Sequence, residues 1–449
     1  MEVIFPDALA PLIRQIEAHV YANPPLAIDA ARQLLKQCRQ ADHLAYVYEQ
    51  LGFAHLILGE YRLACLFYDQ ARELAPPNMY VLANLAHARF ELGERDAAVT
   101  IGREALRLKD ELACAEAGAP TLAAPRRGAL NLVSFSLYGQ QARYGEMAVL
   151  NVLAARRHLP EFTCRFYLDD SVPPALVQRL KRLGAHCVAM GSAGPSMPAT
   201  FWRFLAMDDA AADCVLVRDV DALIDARDAW CVRDWQQSGL AFHVMRDDCC
   251  HTELILAGMF GIRAGVIPGI SALIANYLQQ TGSRAWQRYG DQLFLRHALW
   301  PRIRHQTLTH DSIYEYGARL NALACVAGDP SRQGPLNNFI GANHASYRIA
   351  CTLDQKLPDG MQLQLSVLGP GGTLVCRHPM QAVAQTTGDR APAALSWQVF
   401  LPQLYAQALE TGRWTHQISS GPIGDPALGD GSIDGVLLGI SAGPSSAQE

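Results

Sequence analysis

The run Val215-Leu216-Val217-Arg218-Asp219-Val220-Asp221-Ala222-Leu223 decides how the middle of the chain is read. It reads as an apolar strand ending in Asp-x-Asp. Residues i and i+2 of a strand point the same way, so Asp219 and Asp221 can converge on one point at its end. Two carboxylates beside diphosphate oxygens make the oxygen-rich surroundings that Mg²⁺ or Mn²⁺ prefers. Three residues alone are a weak match. The plain alternative is that both aspartates cap a turn into the next helix.

Around this run, strand-like segments fall at 130–137, 164–168, 186–190, 214–217 and 240–244. Helical segments fit between them at 144–158, 173–183, 200–210 and 227–237. Such alternation predicts an α/β domain with a largely parallel sheet, which binds ligands at the carboxyl ends of its strands.

Upstream, residues 1–115 read as helices only. A period of 34 returns Leu51, Gly59, Ala64, Ala71 and Leu74 as Leu85, Gly93, Ala98, Ala105 and Leu108. That is the period of the tetratricopeptide repeat, a helix–turn–helix unit. The first copy also carries Tyr48, Gly52, Tyr61, Tyr68 and Pro76. The second has Arg95 and Gly102 where large apolar or aromatic residues are usual. Residues 8–40 are expected to form a further, diverged helix pair, and an Ala-, Gly- and Pro-rich linker is placed at 111–128. The resulting division is 1–115, 129–344 and 345–449. In the last region, strands are expected at 362–368 and 373–377 around Gly369-Pro370-Gly371-Gly372, a helix at about 393–410, and a loosely ordered tail. A methyltransferase fragment is set aside there, because a Gly-rich cofactor loop with a following acidic residue is missing.

The chain of 449 residues is 50% hydrophobic and 18% charged, with a formal net charge of −5. It is long enough for two or three domains. Its near-neutral balance argues against a nucleic-acid binder driven by phosphate neutralisation. No apolar run reaches 18 residues, so no transmembrane segment is expected, and the N-terminus does not read as a signal peptide. The 12 cysteines include no CxxC pair, and free thiols in a reducing cytoplasm are the expectation.

An ordered set of motifs resembles the GT-A glycosyltransferases, and more narrowly a bacterial group of them. They are Ser136-Leu137-Tyr138-Gly139, Trp202-Arg203-Phe204, Arg218-Asp219-Val220-Asp221, Met245-Arg246-Asp247, Gly258-Met259-Phe260-Gly261, Asp291-Gln292-Leu293-Phe294-Leu295 and His310-Asp311-Ser312. The resemblance covers roughly residues 129–320. It implies a GT-A-like, Rossmann-like α/β domain after the helical repeats, a nucleotide-sugar donor (a UDP-sugar first), and Mn²⁺ or Mg²⁺ held by Asp219, Asp221 and His310. Tyr138 would stack on the donor base, or be a surface turn residue. Arg203 would fork onto diphosphate, or bridge to Asp208 or Asp209. Asp247 would be the acceptor-facing base, with Asp291 competing for that role, holding the donor sugar alongside Gln292, or capping a helix over 292–299. Gly258, Met259 and Phe260 would form a turn near the acceptor, or a core turn. A lone His310 is also commonly a hydrogen-bonded structural residue. Ala222-Leu223 and Asp248-Cys249-Cys250 depart from the group's usual residues, which keeps open donor choice and an inactive relative. The repeats would grip a peptide or protein partner. The rival class is a non-catalytic scaffold with a degenerate α/β domain.

Overall fold

A computed structural model describes residues 3–76, 78–115, 122–191, 197–246, 248–321, 347–352, 361–383 and 396–422. The expected loose tail lies largely outside these residues, and Asp247 lies outside them altogether. The chain divides into two compact units, neither continuous in sequence. One comprises Met1–Thr121, Val244–Leu256 and Leu295–Ala324; the other comprises Leu122–His243, Ala257–Phe294 and Cys325–Glu449. The linear division at 115, 129 and 345 does not coincide with these units.

The first unit begins with six helices: α1 Ala10–His19, α2 Pro24–Gln37, α3 Ala41–Ile57, α4 Tyr61–Leu74, α5 Met79–Glu91 and α6 Arg95–Ala115. The period of 34 is visible in their turns. Gly59 and Gly93 both take positive φ, 73° and 80°, which glycine adopts without a Cβ penalty. The pair His55–Glu60 after α3 recurs as Arg89–Glu94 after α5. Small residues bring the helices together: Tyr68 lies against Gly52, where an added Cβ would come within 2.8 Å of its ring. The position equivalent to Tyr68 in the next repeat is Gly102, and Tyr314, from far downstream, fills the space there. Arg95 lays its guanidinium 5.2 Å from the Phe90 ring centroid.

Two later segments complete this unit through buried charge. Lys109, 1% exposed, donates to Glu253 Oε1 at 2.6 Å and to the Thr252 carbonyl at 2.7 Å. Arg296 meets the same Glu253 oxygen at 2.5 Å. Asp110 accepts from Trp300, Arg304 and Tyr316. Buried charges persist only when paired in this way.

The second unit opens with alternating elements: β1 Leu130–Leu137, α7 Ala142–His158, β2 Phe162–Leu168, α8 Pro174–Arg182, β3 His186–Ala189, β4 Ala212–Arg218 and α9 Ala226–Ser238. Then come β5 Phe242–Arg246, which straddles the boundary between the units, and β6 Met259–Arg263. Within this unit the sheet order is β3-β2-β1-β4-β6. β1 is parallel to β2 and β4, β2 is parallel to β3, and β6 runs antiparallel to β4. Helices α7 and α8 are the crossovers that parallel pairing requires. The apolar strands build the core, with Phe135 stacked on Phe166 at 4.9 Å.

One local expectation is refined here and one is corrected. The 200–210 segment is a 3₁₀ helix, Ala199–Asp208, held by β1 serines: Ser134 Oγ donates to the Arg203 carbonyl at 2.7 Å, and the Arg203 amide donates to Ser136 Oγ at 3.1 Å. The Gly258–Gly261 turn is instead the start of β6. Met259 and Phe260 are buried in that strand, and Gly261 faces Leu216 and Trp235.

The C-terminal part forms two three-stranded sheets and a helix, Gln403–Glu410. The hairpin around 369–372 forms as expected, between Met361–Leu368 and Leu374–Pro379. Residues 396–401, expected as the start of a helix, are a strand, Ser396–Leu401. Its partner Tyr347–Thr352 supplies the ladder, a long-range pairing that overrides local preference.

Candidate functional site

At the carboxyl ends of β1 and β4, a cavity of about 200 Å³ is lined by Ser136, Leu137, Tyr138, Tyr144, Thr200, Arg203, Asp219, Val220 and Asp221. This is where a parallel sheet exposes its strand ends to ligands. Asp219 and Asp221 both line it, but they lie just past β4 in a turn where the Ala222 amide donates to the Asp219 carbonyl at 3.2 Å, so the turn and not strand alternation places them.

The turn carrying them is fixed from beneath. Asn151 on α7 donates to the Val220 carbonyl at 2.9 Å and accepts from the Ile224 amide at 3.1 Å. Arg218 is turned into the core, where it grips Asp228 with two bonds of 2.8 and 3.1 Å and donates to the Phe260 carbonyl. The N-cap of α9 is Asp225, whose carboxylate accepts from the Asp228 amide at 2.8 Å. Gly258 lies directly behind Asp219: a Cβ there would overlap the carboxylate.

Arg203 is the buried cation of the site. One arm pairs with Asp219, and the other reaches Asp291 Oδ2 at 2.8 Å. The expected alternative partners are engaged elsewhere, Asp208 with the amides of Ile270 and Ser271, and Asp209 with Arg165. Arg203 Nε has no hydrogen-bond partner among the described residues. Asp291 is 6% exposed; burial raises its carboxyl while Arg203 opposes the rise. Asp221 is pushed up to about 6, first by burial and then by the charge of Asp219, with Arg143 opposing from 3.5 Å. Two carboxylates that repel across a cavity are what a hard divalent cation would relieve, and the residues fit such an ion on that ground.

The remaining candidates are placed as follows. Tyr138 is 45% exposed at the cavity, its ring edge-on to Trp202 at 6.1 Å. Gln292 accepts from the Ala257 amide at 3.0 Å, next to Gly258. The segment expected as one helix over 292–299 is a short α-helix, Gly290–Phe294, followed by a π turn, Leu295–Leu299. His310 is wholly buried on the strand Thr307–Asp311, in the first unit rather than the second. The structure therefore brings Tyr138, Arg203, Asp219, Asp221, Asp291 and Gly258 together. Sequence reading missed Ser136, Arg143 and Asn151. Only Ser136 carried a signal, as part of a motif singled out for its tyrosine.

No family model matches the chain, and no curated protein matches it. Among solved structures, one that it resembles is a mutant of the Thermobaculum terrenum O-GlcNAc transferase, 19% identical over 41% of this chain, with a TM-score of 0.24. The match spans 42% of that chain's length. At that TM-score the likeness carries no argument about fold or activity.

Proposed function

We propose that the chain is a GT-A-type glycosyltransferase that moves a sugar from a nucleoside-diphosphate donor, a UDP-sugar first, to an acceptor hydroxyl with Mn²⁺ or Mg²⁺. The observation that carries this reading is Asp219 and Asp221 facing one cavity at the carboxyl ends of β1 and β4, beside buried Arg203. A bound cation would neutralise charge developing on the diphosphate leaving group. Asp219 and Asp221 would hold it. Arg203, whose Nε has no partner among the described residues, would add a guanidinium to the phosphate oxygens. Tyr138, half-exposed at the rim, would offer its face to the base. Asp291 would hold Arg203 in place, and Asp247 would take the acceptor proton. The acceptor is a glycan, a lipid-linked precursor or a protein, and the helical repeats favour a protein.

One observation favours a second reading, a non-catalytic scaffold. Both carboxylates already have arginine partners, Arg203 for Asp219 and Arg143 for Asp221. Calorimetric titration of UDP with and without Mn²⁺ separates the two. The transferase reading expects Mn²⁺-dependent binding in the wild type, lost in Asp221→Ala with the fold intact, and release of UDP from one member of a nucleotide-sugar panel. Equal affinity in both proteins, with or without the ion, would sink it.

A further inference from the structure

The departure Asp248-Cys249-Cys250 plays no part in the proposed transfer reaction, yet in the first unit it meets a helix face with matching chemistry. On α5, His87 and Glu91 are one turn apart, a spacing that puts both on one face. His87 Nε2 lies 3.8 Å from Glu91 Oε1. Cys249 Sγ lies 3.9 Å from the same oxygen and 3.5 Å from Asp248 Oδ1. The ligand atoms of His87, Glu91 and Cys249 all fall within 4.8 Å of one another.

Those separations are close to what a metal would impose. Zinc bonds of about 2.0–2.3 Å in tetrahedral array hold neighbouring donors about 3.4–3.6 Å apart. The two contacts to Glu91 Oε1, at 3.8 and 3.9 Å, need to contract by only a few tenths of an ångström. Its environment is also suitable. Cys249 is 2% exposed, while the side chains of His87 and Glu91 are 31% and 38% exposed, which leaves an entry path. The other Glu–Cys–His group, Glu146, Cys376 and His378, differs in kind. There Arg179 already sits on both oxygens of Glu146, at 3.0 and 3.1 Å, and a second cation would meet that charge.

We propose that His87, Glu91 and Cys249, with Asp248 beside them, bind a thiophilic divalent cation of the Zn²⁺ class. The sulfur and imidazole donors select this class over Mg²⁺ or Mn²⁺. The site would tie the segment after β5 to α5.

Co²⁺ titration of the chelator-treated full chain tests this, because a thiolate ligand gives Co²⁺ a charge-transfer absorption that carboxylates do not. One equivalent should develop the band, and Zn²⁺ should bleach it. Cys249→Ser should abolish the band, His87→Gln should weaken Co²⁺ binding at least tenfold, and Cys250→Ser should leave both unchanged. Absence of the band in folded wild-type protein, its survival in Cys249→Ser, or its loss in Cys250→Ser would overturn the proposal. If Cys249→Ser does not fold, the partly exposed His87→Gln decides: unchanged Co²⁺ affinity would reject the site.

Discussion

Arg179 with Glu146, and Arg203 with Asp219 and Asp291, are both buried guanidinium–carboxylate groups of the same α/β unit. In the first, Glu146 is fully buried and accepts from Arg179, from His378 at 2.9 Å and from the Tyr405 hydroxyl at 2.8 Å. Burial alone would raise its carboxyl, but these partners overcome it and hold it at about 2. In the second, Asp219 is 41% exposed in its side chain, and neighbouring Asp221 is pushed up to about 6. Similar parts thus serve different ends. The closed group has its negative charge answered and clamps α7 and α8 to the strand Leu374–Pro379 and the helix Gln403–Glu410. The open group sets three carboxylates, Asp219, Asp221 and Asp291, against two arginines, Arg203 and Arg143, and so keeps an excess of negative charge at a cavity, the arrangement expected of a binding site.

The sharpest way to break this contrast is to remove each carboxylate in turn. Glu146→Ala leaves Arg179 buried without its partner and should cost about 3–5 kcal/mol in urea unfolding. Its loss should make no specific difference to Mn²⁺-dependent UDP binding in whatever fraction stays folded. If the variant is as stable as wild type, the clamp is not one.

Arg203→Ala tests the open group. It should lower UDP affinity by about 10–150-fold, the range for a charge-assisted hydrogen bond worth roughly 1.5–3 kcal/mol. Calorimetry should show the loss with or without Mn²⁺. Unchanged affinity would remove Arg203 from the phosphate-binding role.

The two carboxylates should also respond to pH with opposite signs. Glu146 has a folded pKa below its unfolded value, so its contribution is present above about 4.5 and is lost as pH falls toward 2. Asp221 has a folded pKa above its unfolded value. Its penalty is absent below about 3.8, grows as pH rises through 6, and is full above that. Asp221→Asn should therefore stabilise the protein at pH 7.5 by about 1–3 kcal/mol and leave it unchanged near pH 3.5. Urea midpoints at the two pH values read this directly, and equal shifts at both would refute the assignment.

The smallest effect is expected at the rim. Tyr138→Ala should weaken UDP binding by about tenfold, whereas Tyr138→Phe should keep it, because stacking needs the ring and not the hydroxyl. Loss in both variants would point to the hydroxyl instead.

Much of this unit was legible from sequence where the physics is local. The apolar run at 130–137 matches β1 residue for residue, and Asp-x-Asp follows a strand because strand periodicity and a polar end are both written in consecutive residues. What could not be read was long-range. Asn151 and Glu146 lie in α7 among buried neighbours, and their side-chain partners are 33 to 259 residues away. The strand at Met259–Arg263 exists because β4 offers it an edge, so Gly258-Met259-Phe260-Gly261 alone reads equally well as a turn. Arg203 was legible as a phosphate candidate, but its link to Asp219 and Asp291 was not, since a 3₁₀ helix held by β1 serines aims it.

The space at Gly102 that Tyr314 fills has a consequence for synthesis. Arg103, beside that glycine, bonds the Tyr314 carbonyl across 211 residues of chain. At a translation rate of about 5–20 residues per second, the helical repeats emerge roughly 10–40 seconds before the tyrosine that finishes them. Through that interval the nascent helices carry an open slot where the preceding repeat has Tyr68. The ribosome-bound chain should accordingly be protease-sensitive around α6 until Tyr314 has itself emerged.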